Sequence, residues 1–231
     1  MYALSLNTTS SVLCLGMADW PREQTNLASA GSVQALGSYR IQTWDLGREL
    51  SHYLHQYLAT FLAPQGWSDL SWLAVAYGPG SYTGTRIGLV TARILAQQLE
   101  IPLFGISTLA AIAQAYAKES TLLDSKVLIA VEMPAQRGSV YGGLYRWHPE
   151  GQGLSCDRTD QCLTIASWEE QLAAQTTDTH RIREGSAVSQ ENIKQENIDQ
   201  KNIGRALLTL AHQQWQQGNR PPWQDILPNY G

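Results

Sequence analysis

The sequence predicts an α/β protein, because short apolar runs of strand length alternate with longer runs of helical periodicity. A second pair of strand-like runs in the middle of the chain indicates a second lobe. The composition fits this class, since the 231 residues are 43% hydrophobic and 16% charged. This length is enough for one large core or two smaller ones.

The charge and the cysteine count exclude several functions. A formal net charge of -4 argues against direct binding to a nucleic-acid backbone, which needs clustered lysine and arginine. Three cysteines form neither a disulfide framework nor a zinc set. The chain opens on a strand pattern instead of a signal peptide, and no apolar run reaches the length of a membrane span. We therefore expect a cytoplasmic protein without membrane association.

The first two predicted strands, Tyr2–Leu6 and Val12–Met17, are joined by a short polar loop. Its hydroxyl groups can donate hydrogen bonds to a phosphate, but the same composition occurs in hairpins that bind nothing. Residues 19–37 look like a variable loop, and a third strand is predicted at 38–44. The candidate nucleotide-binding residues are Asn7, Thr8, Thr9 and Ser10.

An amphipathic helix is predicted over residues 48–62, where leucines recur at helical spacing and a Pro-Gln-Gly segment follows. His52 and His55 lie about one turn apart on this helix, a spacing compatible with a metal pair. No further ligand lies nearby in the sequence, so a solvent-facing or interface surface is the better interpretation. We predict no metal site.

A sharp turn links a predicted strand at 72–77 to a helix at 83–99. Gly78, Pro79 and Gly80 are turn residues, and Ser81 and Thr83 are candidate N-caps for the helix. A capped helix start can hold an anion, or it can simply begin a helix. The pattern leaves both interpretations open.

Three familiar site motifs do not fit this turn. Gly80 and Gly84 enclose three residues and are followed by Thr85 and Arg86, which excludes a P-loop. The glycine spacing is one residue too long for a dinucleotide fingerprint, and the next strand ends without an acidic residue to hold a ribose. No nucleophile elbow with histidine and aspartate partners is identifiable. We predict no catalytic residue.

The helix at 83–99 carries small residues at intervals of four. A row without large side chains lets another backbone approach closely. That backbone belongs either to the protein's own sheet or to a helix of another subunit, and the pattern alone favours neither. The small row is Gly84, Gly88, Ala92 and Ala96, and the bulkier row beside it is Ile87, Val90 and Ile94.

The remaining elements are predicted from shorter patterns. A strand at 102–106 leads into a helix at 109–118, and strands at 126–131 and 140–147 open the second lobe. A strand at 161–165 and helices from Ser167 and over 206–217 follow. Residues 190–204 repeat a unit of five that matches neither helix nor strand periodicity. We interpret this repeat as an insertion or a loosely held polar helix.

Two segments carry a strong resemblance to a known family. Residues 78–88, Gly-Pro-Gly-Ser-Tyr-Thr-Gly-Thr-Arg-Ile-Gly, and 106–109, Ile-Ser-Thr-Leu, strongly resemble the signature of the bacterial TsaB (YeaZ) family. Matches at 4–10, 137–141 and 227–230 follow in the family's order. The resemblance covers most of the chain, is most specific over 78–109 and is loose from 148 to 220.

The resemblance implies an actin-like, Hsp70-like ATPase fold of two lobes, each a mixed sheet flanked by helices. The lobes would comprise residues 1–106 and 107–231, with a final helix that can pack back on the first lobe. The resemblance further implies a non-catalytic subunit that pairs with TsaD. TsaD transfers a threonylcarbamoyl group to the adenosine beside the anticodon of tRNAs that read codons beginning with A.

The family also implies where cofactors and other partners belong. ATP or ADP and the metal are associated with the partner subunits, TsaD and the ATPase TsaE, so no cofactor is expected on this chain. Contact with tRNA would occur only through the complex, and the chain alone could pair with a second copy. TsaD carries a His-x-x-x-His metal motif, which this sequence lacks.

Several positions depart from the family pattern and lose charged groups. Asn7 replaces the usual aspartate after the first strand, and Pro134, Gln136 and Ser139 replace three charged residues of a second motif. Leu50 stands where the family commonly has histidine. These losses count against the alternative function, a stand-alone actin-like ATPase or small-molecule kinase. A protease function is not supported either, because the sequence contains no identifiable nucleophile–base set.

Helices 48–62 and 83–99 are therefore the predicted partner interface, with the small-residue row as its physical basis. Replacing Gly88 or Ala92 with leucine would overpack such a crossing. The candidate interface residues are Leu50, Tyr53, Leu54, Tyr57, Gly84, Arg86, Ile87, Gly88, Val90, Thr91, Ala92 and Leu95.

Overall fold

The computed structural model of the chain describes residues 1–20, 38–119, 127–148, 153–175, 178–184 and 198–229. Two sheets are present in these ranges, one of five strands and one of four. Helices cover the faces of both sheets. None of the helices in these ranges combines the length and the apolar character that crossing a bilayer requires.

The first sheet is mixed. Its strands are β1 (Tyr2–Asn7), β2 (Val12–Asp19), β3 (Tyr39–Asp45), β4 (Leu70–Ala76) and β5 (Leu103–Ile106). They lie in the order β3-β2-β1-β4-β5. The first three pair antiparallel, whereas β4 and β5 run parallel to β1, because each is reached through a helix that returns the chain to the starting edge.

Helices cover both faces of the first sheet, because its central strands are apolar on both sides. On one face, α1 (Leu50–Leu62) and α2 (Tyr82–Leu99) share a core with leucines of the sheet such as Leu15 and Leu73. On the opposite face lie α3 (Thr108–Glu119) and α5 (Gln200–Gln216). This arrangement leaves the outer sides of α1 and α2 directed away from the sheet.

The second sheet is also mixed. It contains β6 (Val127–Pro134), β7 (Ser139–His148), β8 (Gly153–Thr164) and β9 (Thr179–Arg183), in the order β8-β7-β6-β9. Only β6 and β9 among these pair in parallel. The helix α4 (Ile165–Ala173) packs on its outer face through the fully buried Trp168.

The two sheets share one hydrophobic core. Phe104 of the first sheet, Ile112 of α3, Leu207 of α5 and Ile129 of the second sheet belong to the same buried cluster. The helices α3 and α5 therefore lie between the sheets and join the lobes. The lobe boundary at residue 106 stays a prediction.

A buried carboxylate fastens the second sheet to its outer helix. Glu132 of β6 is fully buried and accepts hydrogen bonds from Arg181 and Arg183 of β9 and from the indole Nε1 of Trp168. The Arg181 Nε lies 3.0 Å from Glu132 Oε2. Arg181 also pairs with the more exposed Glu169 of α4. The Glu132 carboxylate thus connects β6, β9 and α4, and several charged or polar donors compensate for its burial.

The observed boundaries differ from the predicted ones mainly in the second half. The strand predicted at 161–165 runs from Gly153 to Thr164, and β9 has no counterpart among the predicted strands. The last helix begins at Gln200 instead of 206, because Asp199 caps it by accepting a hydrogen bond from the Lys201 amide at 3.0 Å. Ile203 then joins the buried face of α5. Residues 190–197 of the repeat and 21–37 of the variable loop lie outside the described residues.

Candidate partner interface

The outer sides of α1 and α2 form the walls of an open groove of about 590 Å³. α1 contributes one wall, α2 contributes the other, and the side chain of Trp67 closes one part of the rim. The groove is therefore built from the two helices that follow β3 and β4. Its lining residues are Ser51, His55, Leu58, Trp67, Arg86, Ile87, Val90, Thr91, Ile94 and Leu95.

The surface around this groove is unusually apolar. Among the described residues, seven large hydrophobic side chains are exposed, and four of them lie on α1 or α2. They are Tyr53, Tyr82, Val90 and Ile94, with 37%, 55%, 54% and 54% exposure. Tyr82, Val90 and Ile94 share one stripe of α2 with Arg86, because all four follow the four-residue spacing of a helix face. An exposed apolar patch of this kind marks a contact surface.

The charged side chains within the two helices have one sign. Neither α1 nor α2 contains an aspartate or a glutamate, whereas α2 contains Arg86 and Arg93. The Arg86 guanidinium lies 3.9 Å from the ring centroid of Tyr82, and that of Arg93 lies 5.4 Å from the Trp223 ring. Arginine and aromatic side chains are the residue types enriched at protein interfaces.

The small-residue row of α2 does not face this surface, which corrects one part of the prediction. Gly84, Gly88, Ala92 and Ala96 are all buried. A Cβ on Gly84 would collide with the main-chain oxygen of Thr8, and a Cβ on Gly88 would collide with the hydroxyl of the same threonine. The row is small because β1 and the loop after it approach α2 within the chain.

The assignment of Leu50, Leu54, Gly84, Gly88 and Ala92 to a partner surface is therefore wrong. Leu50 and Leu54 belong to the core under the first sheet, with 5% and 0% exposure. Leucine at position 88 or 92 would disrupt the fold before it affected an interface.

The other predicted interface residues lie on the accessible side of the helices. Tyr53, Arg86 and Val90 are exposed, and Tyr57, Ile87, Thr91 and Leu95 are partly exposed. Tyr82 and Ile94 were missing from the predicted set. The four-residue spacing of a helix face identifies them in the sequence, because Tyr82 and Ile94 extend the row of Arg86 and Val90 by one turn in each direction.

The contacts of Thr8 predict different outcomes for two glycine substitutions. Gly88→Ala and Gly84→Ala are each expected to cost about 1–3 kcal/mol of unfolding free energy through overpacking. Adding Thr8→Ala should relieve the Gly88→Ala strain, because it removes the colliding hydroxyl. It should not relieve Gly84→Ala, because the colliding main-chain oxygen remains. Double-mutant cycles from denaturant unfolding measure both couplings, and equal rescue of the two would contradict this packing.

The hairpin loop does not form an open phosphate pocket, which corrects the prediction for Asn7, Thr8 and Thr9. All three residues are buried. The Thr8 hydroxyl donates to the Gly84 carbonyl at 2.8 Å, and Asn7 Oδ1 accepts from the Thr9 amide and hydroxyl at 3.1 and 2.8 Å. Ser10 is partly exposed, and its hydroxyl accepts from the Val12 amide. The loop's polar groups thus bind the protein's own main chain and side chains.

The turn before α2 connects three parts of the molecule. Ser81 is the N-cap, as predicted, with its Oγ accepting from the Gly84 amide at 3.3 Å. The Ser81 amide donates to the Thr9 carbonyl at 2.6 Å, and the Thr108 amide donates to the Gly78 carbonyl at 2.8 Å. The C-terminal segment joins the same turn through the Asn229 amide, which donates to the Tyr77 carbonyl. The turn therefore fixes the direction of α2.

The histidine pair of α1 lies on the exposed side of the helix. His52 and His55 are exposed, and His55 lines the groove. Within the described ranges, no three or more histidine, cysteine or acidic side chains are arranged to hold a metal ion. His55 is therefore best assigned to the contact surface.

Comparisons with known proteins agree with this architecture. Residues 48–190 match the family described as "TsaD: tRNA N6-adenosine threonylcarbamoyltransferase". YeaZ from Pseudomonas aeruginosa superposes with a TM-score of 0.73 at 19% identity, covering 100% of this chain and 99% of that one. A second structure, described as similar to peptidase YEAZ from the same organism, gives 0.73 at 18%, covering 99% and 98%. The fold is thus actin-like.

Curated relatives named "tRNA threonylcarbamoyladenosine biosynthesis protein TsaB" match parts of the chain. The Bacillus subtilis (strain 168) protein is 40% identical over 111 residues, or 48% of this chain and 44% of that protein. The Escherichia coli (strain K12) protein is 40% identical over 90 residues, or 36% and 37%. The matched segments thus span less than half of each relative. The chain belongs to the TsaD family, and parts of it are similar to the relatives named TsaB.

Proposed function

We propose that this chain is a non-catalytic subunit in the formation of threonylcarbamoyladenosine in tRNA, and that it acts by binding TsaD through the α1–α2 groove. The observation that carries the proposal is the groove itself, which is apolar, open and free of acidic residues on both helices. Apolar side chains such as Val90 and Ile94 gain free energy when a partner removes them from water. The matched relatives are named for this biosynthesis.

The lining of the groove supports a binding role in preference to a catalytic one. Among the described lining residues, aliphatic and aromatic side chains are the majority, and a single arginine and a single histidine are the ionisable groups. The partner surface that fits is apolar with an acidic rim, because the arginines of α2 favour complementary charge across an interface. Within this proposal, TsaE joins through the complex, and ATP or ADP and any metal bind to the partner subunits.

We further propose that the same surface forms a homodimer when TsaD is absent. Two copies could cover each other's Val90 and Ile94 about a twofold axis, since a self-complementary apolar patch suits such symmetry. TsaD would then compete with the second copy for the groove. We expect TsaD to convert the homodimer into a heterodimer, which light scattering would follow as a change in mass.

A reconstituted reaction tests the proposed function. The components are tRNA, a threonylcarbamoyl donor, and TsaD and TsaE from the same organism, with or without this chain. We expect threonylcarbamoyladenosine in the digested tRNA, measured by mass spectrometry, only when the chain and TsaD are both present. Full modification without the chain would overturn the proposal, and so would modification by the chain alone.

A further inference from the structure

A second cavity lies away from the α1–α2 groove, where the β5 edge of the first sheet faces the β8 edge of the second. It encloses about 330 Å³, which is within the range of small-molecule sites. The end of β5, the start of α3, part of β8 and one side of α5 form its walls. Residues that represent these walls are Ile106, Ser107, Tyr145, Leu154, Asp160 and Leu210.

Among the described lining residues, Asp160 is the one with a carboxylate side chain. The hydroxyl groups of Ser107 and Tyr145 each donate a hydrogen bond to one of its two carboxylate oxygens. These neutral donors orient the carboxylate but do not neutralise it. No ion pair with Asp160 occurs within the described part of the chain. A partly desolvated carboxylate without a cation is costly, and a cationic ligand would offset that cost.

Neighbouring groups respond to this negative charge. Burial raises the pKa of Tyr77 to about 12, and the charge of Asp160 adds to the effect. The pKa of the Cys156 thiol is raised by burial and then by Asp160. Burial raises the pKa of Asp160 itself, and the hydrogen bonds from Ser107 and Tyr145 act in the opposite direction. The Asp160 carboxylate thus disfavours a second negative charge at Tyr77 or Cys156.

We propose that this cavity binds a small organic ammonium ion, whose nitrogen pairs with Asp160 and whose carbon skeleton lies against Ile106, Leu154 and Leu210. The described lining residues include no lysine, arginine or histidine, so they offer no cationic partner for a phosphate or a carboxylate. A bare divalent cation does not fit either, because calcium and magnesium need several oxygen ligands and one carboxylate supplies too few. The Asp160 carboxylate and the apolar walls together therefore favour an organic ammonium ion over an anion or a metal ion.

Three probes of one shape and different charge test the site on the full chain. They are benzylammonium, neutral benzyl alcohol and anionic benzoate, with binding measured by ligand-observed NMR titration. We expect saturable binding of benzylammonium, binding of benzyl alcohol weaker by about tenfold or more, and no binding of benzoate. Equal affinity for the ammonium and the alcohol would overturn the assignment, as would no binding of benzylammonium.

A matched pair of substitutions on β8 locates the binding group. Asp160→Asn is expected to weaken benzylammonium binding about tenfold or more. Asp157→Asn is the control, because Asp157 pairs with Arg146 at 3.0 Å on the surface and does not line the cavity. If Asp160→Asn does not fold, Ala110→Leu decides the question by filling the cavity from α3. Unchanged binding in whichever of these two variants folds would overturn the proposal.

Discussion

Replacing Glu132 with glutamine is expected to lower the free energy of unfolding by about 3–5 kcal/mol, the usual loss when one partner of a buried ion pair is removed. Glu132 is fully buried, and its carboxylate holds Arg181, Arg183 and Trp168 together. The amide of glutamine has similar volume but no charge, and only one of its ends accepts hydrogen bonds. Two guanidinium groups would then lie beside a neutral side chain. Denaturant unfolding measures the difference.

Glu169→Gln provides a matched control. Glu169 pairs with the same Arg181, but its side chain is 47% exposed. Exposed pairs contribute little, so we expect a loss below about 1 kcal/mol. A loss at Glu132 no larger than that at Glu169 would contradict the role assigned to the buried carboxylate. The comparison tests burial together with the two further partners of Glu132, Arg183 and Trp168, since the substitution and Arg181 are shared.

Introducing aspartate at Val90 and Ile94 is expected to weaken TsaD binding more than about 100-fold, because a carboxylate would be buried in an apolar contact. Each residue is 54% exposed on α2, so a partner that covers it would remove the new carboxylate from water. The fold should tolerate both changes, because exposed positions shift the free energy of unfolding by about 0.5 kcal/mol or less. Isothermal titration calorimetry with TsaD measures the affinity.

Ile165→Asp is the control for this substitution. Ile165 is 49% exposed and lies on α4, on the outer face of the second sheet. The same change at a similarly exposed isoleucine should leave TsaD affinity within a factor of about three, since it lies outside the groove. An equal loss of affinity at positions 94 and 165 would indicate a general effect of the charge instead of a local contact.

The first lobe and the cap of α2 were predictable from the sequence, because they depend on local signals. Leucines at helical spacing predict α1, and Ser81 ahead of a periodic run predicts the N-cap. The partner of the small-residue row was not predictable. Close approach by any backbone requires small residues, and the threonine that approaches Gly84 lies 76 positions away in the chain. Only the three-dimensional arrangement distinguishes a contact within the chain from a contact between subunits.

The strand β9 and the inter-lobe cavity depend on distant contacts in the same way. β9 has one fully buried residue, Ile182, and its two arginines lie there because Glu132 of β6 holds them. A five-residue segment with four basic or polar side chains gives no strand pattern. The meeting of Ser107 with Asp160 likewise depends on how the two lobes pack. Neither feature has a local signal in the sequence.

Site-specific photo-crosslinking to TsaD tests the central claim most directly. A photoreactive amino acid replaces Ile94 in one variant of the chain and Ile165 in another, and each variant is irradiated with TsaD. We predict a cross-linked heterodimer from position 94 and none from position 165. Cross-linking from position 165 but not from position 94, or the absence of any complex between the two proteins, would contradict the account.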